Sequence, residues 1–122
     1  MPRVVHFEIP VENPERTVKF YTDVFGWQVQ KWQGPEEYWL ISTGPKQEPG
    51  IDGGFFLPKG PMTGAVNTLD VPSIDEFLAK VAQTGGTVVV PKRAIPGVGY
   101  QAYCKDPEGN LFGIHQADPS AK

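Results

Sequence analysis

One order of elements occurs twice in this 122-residue chain, about sixty residues apart, and that repeat narrows the choice of fold more than any other feature. The first pass opens with "VVHFEIP" (4–10), a strand pattern. "ENPERTVKFYTDVFGW" (12–27) follows, with Asn13 as a helix N-cap, Pro14 at the first helical position and Gly26 as the stop. Val18, Tyr21 and Phe25 recur at helical spacing and form one apolar stripe. "WQVQKW" (27–32), "EYWLIST" (37–43) and "GIDGGFFLP" (50–58) then read as three strands. The second pass opens with the strand "AVNTLDV" (65–71). Ser73 and Glu76 make a capping box ahead of a helix whose buried face is Ile74, Phe77, Leu78 and Val81. Gly85 and Gly86 end that helix, and "TVVVP" (87–91), "GYQAYCK" (99–105) and "NLFGIHQ" (110–116) close the pass as strands. "DPEG" (106–109) has type I turn chemistry, and "AIPGVGYQ" (94–101) reads as a Pro/Gly rim loop or a hairpin connection.

A sixty-residue shift places Ile9 on Leu69, Val11 on Val71, Gly26 on Gly86 and Val29 on Val89. The expected fold is therefore α+β, with two tandem βαβββ modules, about 1–60 and 61–122, in one domain. Each module packs one helix on one face of a short mixed sheet. The other faces are left uncovered, and paired they would form a cup. Strand alternation sends Val5, Phe7 and Ile9 toward the helices and His6 and Glu8 into the cup.

Bulk properties exclude several classes. A net charge of −3 with pI near 5.3 offers no electrostatic footprint for nucleic acid or anionic membranes. No apolar run approaches the roughly 20 residues that span a bilayer. The single cysteine, Cys104, allows no intrachain disulfide and reads as a small buried hydrophobe in a cytoplasmic protein. The first strand starts within three residues of Met1, leaving no room for a signal peptide. GxSxG, P-loop and GxGxxG motifs are missing, so acyl-transfer, nucleotide and dinucleotide readings lack support.

The stretches "HFEIPVENPERTVKFYTDVFGW", "LDVPSIDEFLAKVAQTGGTVV" and "YCKDPEGNLFGI" together resemble the vicinal oxygen chelate superfamily. Its members include glyoxalase I, bleomycin-resistance proteins and extradiol dioxygenases. More narrowly, the chain resembles an uncharacterised branch related to lactoylglutathione lyase. The resemblance implies paired βαβββ modules cupping a small organic molecule, usually in a homodimer. It also implies, in metal-dependent members, four ligands drawn from the first and last strands of each module. Carried over residue by residue, these positions fall on His6, Val66, Gly113 and a position near Gly54, with Asp52 or Gly53 as register alternatives. Val66 and Gly113 cannot ligate.

A displaced site is the remaining route to a metal. His6, Glu8, Asp52 and His115 share the expected cup face and could hold Zn, Ni, Mn or Fe, with Glu8 as catalytic base. Otherwise His6, Trp39, Gly54, Gly113 and His115 would line a metal-free ligand site. Glycines at 54 and 113 would enlarge its floor, and either Tyr38 or Trp39, but not both, would wall it. The expected function is ligand sequestration of the bleomycin-resistance type, the alternative a metal-dependent lyase, isomerase or dioxygenase.

Overall fold

A computed structural model describes every residue except Met1, Lys59 and Pro61. Its elements run β1 (Arg3–Pro10), α1 (Pro14–Phe25), β2 (Gln28–Lys31), β3 (Tyr38–Ser42), β4 (Asp52–Phe56), β5 (Val66–Asp70), α2 (Ile74–Gln83), β6 (Thr87–Ile95), β7 (Gly99–Lys105) and β8 (Leu111–Ala117). This is the expected α+β, doubled βαβββ arrangement. The chain divides into two compact units, residues 6–65 and residues 66–122, the latter grouped with the first residues up to Val5.

In the first unit β1 pairs with β4 in parallel, and β3 pairs antiparallel with both β4 and β2. Helix α1 starts because the Asn13 side chain accepts the Arg16 N–H at 3.0 Å and Pro14 gives up no bond at the first turn. It stops at Gly26, whose φ of 73° is left-handed and open to glycine without strain. Val18 and Tyr21 of α1 pack on a core of Val11, Ile41 and Phe55, joined by Phe7, Ile9, Trp27, Val29 and Trp39. Tyr21 stacks on Trp27 with centroids 4.6 Å apart. Two residues expected in this core are exposed instead. Val5 lies beyond the stretch of β1 that the core reaches, and Phe25, in the last turn of α1, meets the rings of Phe20, Tyr21 and Trp27 but stays exposed. Replacing Asn13 with Ala should lower stability by about 1 kcal/mol, the usual value of such a cap, as read by chemical denaturation.

In the second unit β5 pairs with β8 in parallel, and β7 pairs antiparallel with β8 and β6. Ser73 accepts the Glu76 N–H at 3.3 Å, and α2 lays Ile74, Phe77 and Leu78 on Val71, Ala102 and Ile114. The DPEG turn forms as expected: Asp106 accepts the backbone N–H groups of Glu108 and Asn110, both at 2.9 Å. Those bonds hold the Asp106 carboxyl below the usual carboxylate range, with the Asn110 backbone bond the largest contribution. The segment 94–101 is a hairpin and not a rim loop. β6 continues to Ile95, β7 begins at Gly99, and the Val98 N–H donates to the Ile95 carbonyl at 2.9 Å to close the turn. β-Bulges between Val88 and Arg93 let β6 extend past Pro91.

Candidate functional site

Sheet register fixes what shares a face. In the first unit His6 lies opposite Asp52 and Glu8 opposite Gly54, while Tyr38 pairs with Phe56 and Leu40 with Gly54. Paired residues point the same way, so His6, Glu8, Asp52, Gly54, Tyr38 and Leu40 all lie on the face away from α1. In the second unit Thr68 lies opposite Gly113 and Asp70 opposite His115. Glu8–Gly54 and Thr68–Gly113 are thus the same pairing in the two modules, which is the register that places Gly54 and Gly113 at matching positions.

The central contact of the first face is between His6 and Tyr38. His6 Nε2 and Tyr38 Oη are 2.7 Å apart, in a partly buried setting. With the imidazole proton on Nδ1, the phenol donates to Nε2; with it on Nε2, the ring donates to the phenol oxygen. The rings lie nearly parallel, with centroids 6.4 Å apart, and the edge of Trp32 meets Tyr38 at 6.1 Å. Gly54 makes this possible. A Cβ there would run directly into the Tyr38 ring and hydroxyl, so the phenol crosses β4 over a position with no side chain. Gly54 therefore serves as a cradle for Tyr38; the space it vacates is filled.

The sequence left the wall to either Tyr38 or Trp39 and put Trp39 forward; the structure has Tyr38 on this face. Trp39, expected to contact ligand, belongs to the opposite face and packs on the core beneath α1. The alternation of the two rings was visible; what selects Tyr38 is its pairing with Phe56, two residues from Gly54 along β4. Beside His6 a groove of about 490 Å³ opens, lined by His6, Asp52, Ser42, Leu40, Gln28 and Gln30 among others. Asp52 steadies its edge by accepting the Thr43 N–H at 2.9 Å. Glu8 is 6% exposed and is held by other interactions, as are His6 and Tyr38.

In the second unit His115 is half-buried. Burial pushes its pKa below the usual histidine value, and Asp70 opposite it partly offsets that. Gly113 is buried, and a Cβ there would meet Thr68 Oγ1 at 2.8 Å, Gln101 Nε2 at 3.0 Å and the Tyr103 ring at 3.3 Å. The lowered pKa gives a pH prediction. Unfolded histidine titrates near 6.5, so between that value and the lower folded value the unfolded chain binds more protons. Stability should be full above about pH 6.5 and fall as the pH drops through that window. Thermal melts at pH 7.5 and 5.5 should show a smaller loss in His115→Gln than in the parent.

A divalent ion fits these donors poorly. Among the described residues no three His, Cys, Asp or Glu side chains gather as a metal-binding group. His6 Nε2 faces the Tyr38 phenol, and the carboxylate position near residue 54 is taken by the same ring.

The chain belongs to the Glyoxalase/Bleomycin resistance protein/Dioxygenase superfamily, whose family model matches residues 3–114. Among solved structures it is similar to a member of that superfamily from Vibrio splendidus 12B01, at 21% identity and a TM-score of 0.65, covering 97% of this chain and 100% of that one. It is also similar to a methylmalonyl-CoA epimerase from Streptomyces coelicolor, at 14% identity and TM-score 0.73, covering 98% and 97%. A third likeness is to methylmalonyl-CoA epimerase from Mycobacterium tuberculosis, at 13% identity and TM-score 0.69, covering 94% and 87%. At these identities the likeness is one of fold. The curated proteins compared yield no match. No helix among the described residues is long and apolar enough to cross a membrane.

Proposed function

We propose that this protein binds a small organic molecule on the helix-free faces of its modules, without a metal, and sequesters it in the manner of the bleomycin-resistance members. The observation that carries this reading is the 2.7 Å His6–Tyr38 bond cradled over Gly54 beside an open groove. It engages the His6 Nε2 with the Tyr38 phenol, which competes with metal binding at that nitrogen. Leu40 supplies an apolar wall, and Gln28, Gln30, Ser42 and Asp52 supply a few polar points, the usual composition of a small-molecule site. Gly113 and His115 extend the same surface type in the second module. A cytoplasmic homodimer is the accompanying expectation, checked by sedimentation.

The rival is a metal-dependent lyase, isomerase or dioxygenase using His6, Glu8, Asp52 and His115, with Glu8 as base. One experiment separates the two. Protein stripped with EDTA is screened against small organic molecules by thermal shift, and hits are followed in His6→Ala with and without Zn²⁺, Ni²⁺, Mn²⁺ or Fe²⁺. Sequestration predicts saturable binding without metal, and a His6→Ala variant that keeps most of its affinity. Turnover that requires an added ion and vanishes in His6→Ala overturns it.

A further inference from the structure

The groove of the first module is lined along one row by hydrogen-bond acceptors. Gln28 of β2 lies opposite Ser42 of β3, and Asp52 of β4 lies opposite His6 of β1. All four residues line the groove, Asp52 is the one carboxylate among its lining residues, and none of them is a Lys or Arg. Lys31, the lysine of β2, is turned to the other face, where its ammonium lies 5.9 Å from the Trp39 ring centroid and 3.1 Å from Glu37. The Asp52 carboxylate is held in place by the backbone, since its Oδ1 accepts the Thr43 N–H at 2.9 Å. Among the described residues its Oδ2 has no partner. The Ser42 hydroxyl donates its proton to the Gly44 carbonyl at 3.4 Å, so its oxygen still accepts.

We propose that this groove takes an organic cation, a primary ammonium on an apolar body, with the charge seated at Asp52. The proposal rests on the reading of the groove as a ligand site and names the ligand class. A primary ammonium carries three N–H donors and no acceptor. Asp52 Oδ2, Ser42 Oγ and the Gln28 amide oxygen offer three acceptors and stand on successive strands. Neighbouring strands lie about 4.8 Å apart, so one ammonium spans Ser42 and Asp52, and Gln28 reaches inward on its longer side chain. Leu40 stands one pleat from Ser42 on the same face and is 43% exposed, an apolar wall for the rest of the molecule. An organic acid meets the opposite conditions, a carboxylate and no cation. Glu8, the other carboxylate of this face, adds charge of the same sign. His6 directs its Nε2 to the Tyr38 phenol, 2.7 Å away. Asp52 is exposed at the groove edge, so solvent screens the pair and the preference for a cation is moderate.

The test is an NMR titration near pH 8 with benzylamine, benzyl alcohol and benzoate, which share a ring and differ in the charge beside it. It is run on the parent, Asp52→Asn and Glu15→Gln. Benzylamine should shift the Gln28 side-chain amide and the Ser42 and Asp52 signals. It should bind at least about fivefold more tightly than benzyl alcohol, with benzoate the weakest, and added salt should narrow the gap. Asp52→Asn keeps an oxygen for the Thr43 N–H and removes the charge, so the amine should lose its advantage while an unmoved Thr43 amide signal shows the fold intact. Glu15→Gln takes the same charge from the first turn of α1, on the other side of the sheet, and should keep the advantage. Equal binding of amine and alcohol, an advantage that survives Asp52→Asn, or one lost equally in Glu15→Gln overturns the cation assignment and leaves the groove reading standing. If no probe shifts any groove residue, the groove reading itself fails, and the cation assignment with it.

Discussion

Replacing Gly54 with Ala should disconnect Tyr38 from His6 while leaving the protein folded. The new methyl would occupy the space of the phenol's far end, and that end moves by rotation about the Tyr38 side chain. Overpacking costs of about 1–3 kcal/mol apply, toward the low end because the obstacle is a flexible tip. The larger effect is on the site: the 2.7 Å bond breaks and the imidazole loses its fixed orientation, a change the His6 ring signals read directly. Gly53→Ala is the matched control. Its Cβ would strike the Phe7 carbonyl, and backbone between paired strands has nowhere to go. That variant should lose about 3 kcal/mol or more. Denaturation curves and ¹⁵N spectra of the His6 ring on both variants check the contrast. If Gly54→Ala kept the His6 ring signals unchanged, the cradle would be refuted.

Phe55→Ala should be among the most destabilising single truncations in the first module, at about 3–5 kcal/mol. The ring is fully buried, anchors the core with Val11 and Ile41, and meets Tyr21 of α1 at 5.6 Å. Its neighbour Gly54 lies under the Tyr38 ring, so the loss of core also loosens the strand that carries the cradle. Ile74→Ala, equally buried in the second module's core, should cost about 2–5 kcal/mol without disturbing the His6 ring signals. Urea denaturation gives both values. A Phe55→Ala cost below 1 kcal/mol would contradict the packing described for the first module.

The architecture was legible because its signals are local and agree with one another. Asn13, Pro14 and Gly26 mark both ends of α1, Ser73 marks the start of α2, and DPEG closes the last hairpin. The matched positions of Gly54 and Gly113 were readable as one register of the repeat, the one in which an offset of fifty-nine residues carries Gly50 to Gly109 and Gly54 to Gly113. The 94–101 segment stayed open between rim loop and hairpin because Pro91, Pro96, Gly97 and Gly99 look like loop chemistry. Bulges and a three-residue turn instead allow strand on both sides. Val5 and Phe25 misled because periodicity identifies a stripe without saying how far along it the core extends. At the site, His6 was legible from strand alternation. Tyr38 was not, since neither its pairing with Phe56 nor its passage over a glycine on another strand is written in any local pattern.

The central claim is that His6 is committed to Tyr38 and to organic ligands, and not to a metal. It is tested most directly by titrating metal-stripped, tag-free protein with Zn²⁺ while following the ¹⁵N resonances of the His6 ring. The account predicts no saturable shift at one equivalent and a ring signature that changes on Tyr38→Phe. A shift of the His6 ring nitrogens that saturates at one equivalent of Zn²⁺ would contradict it.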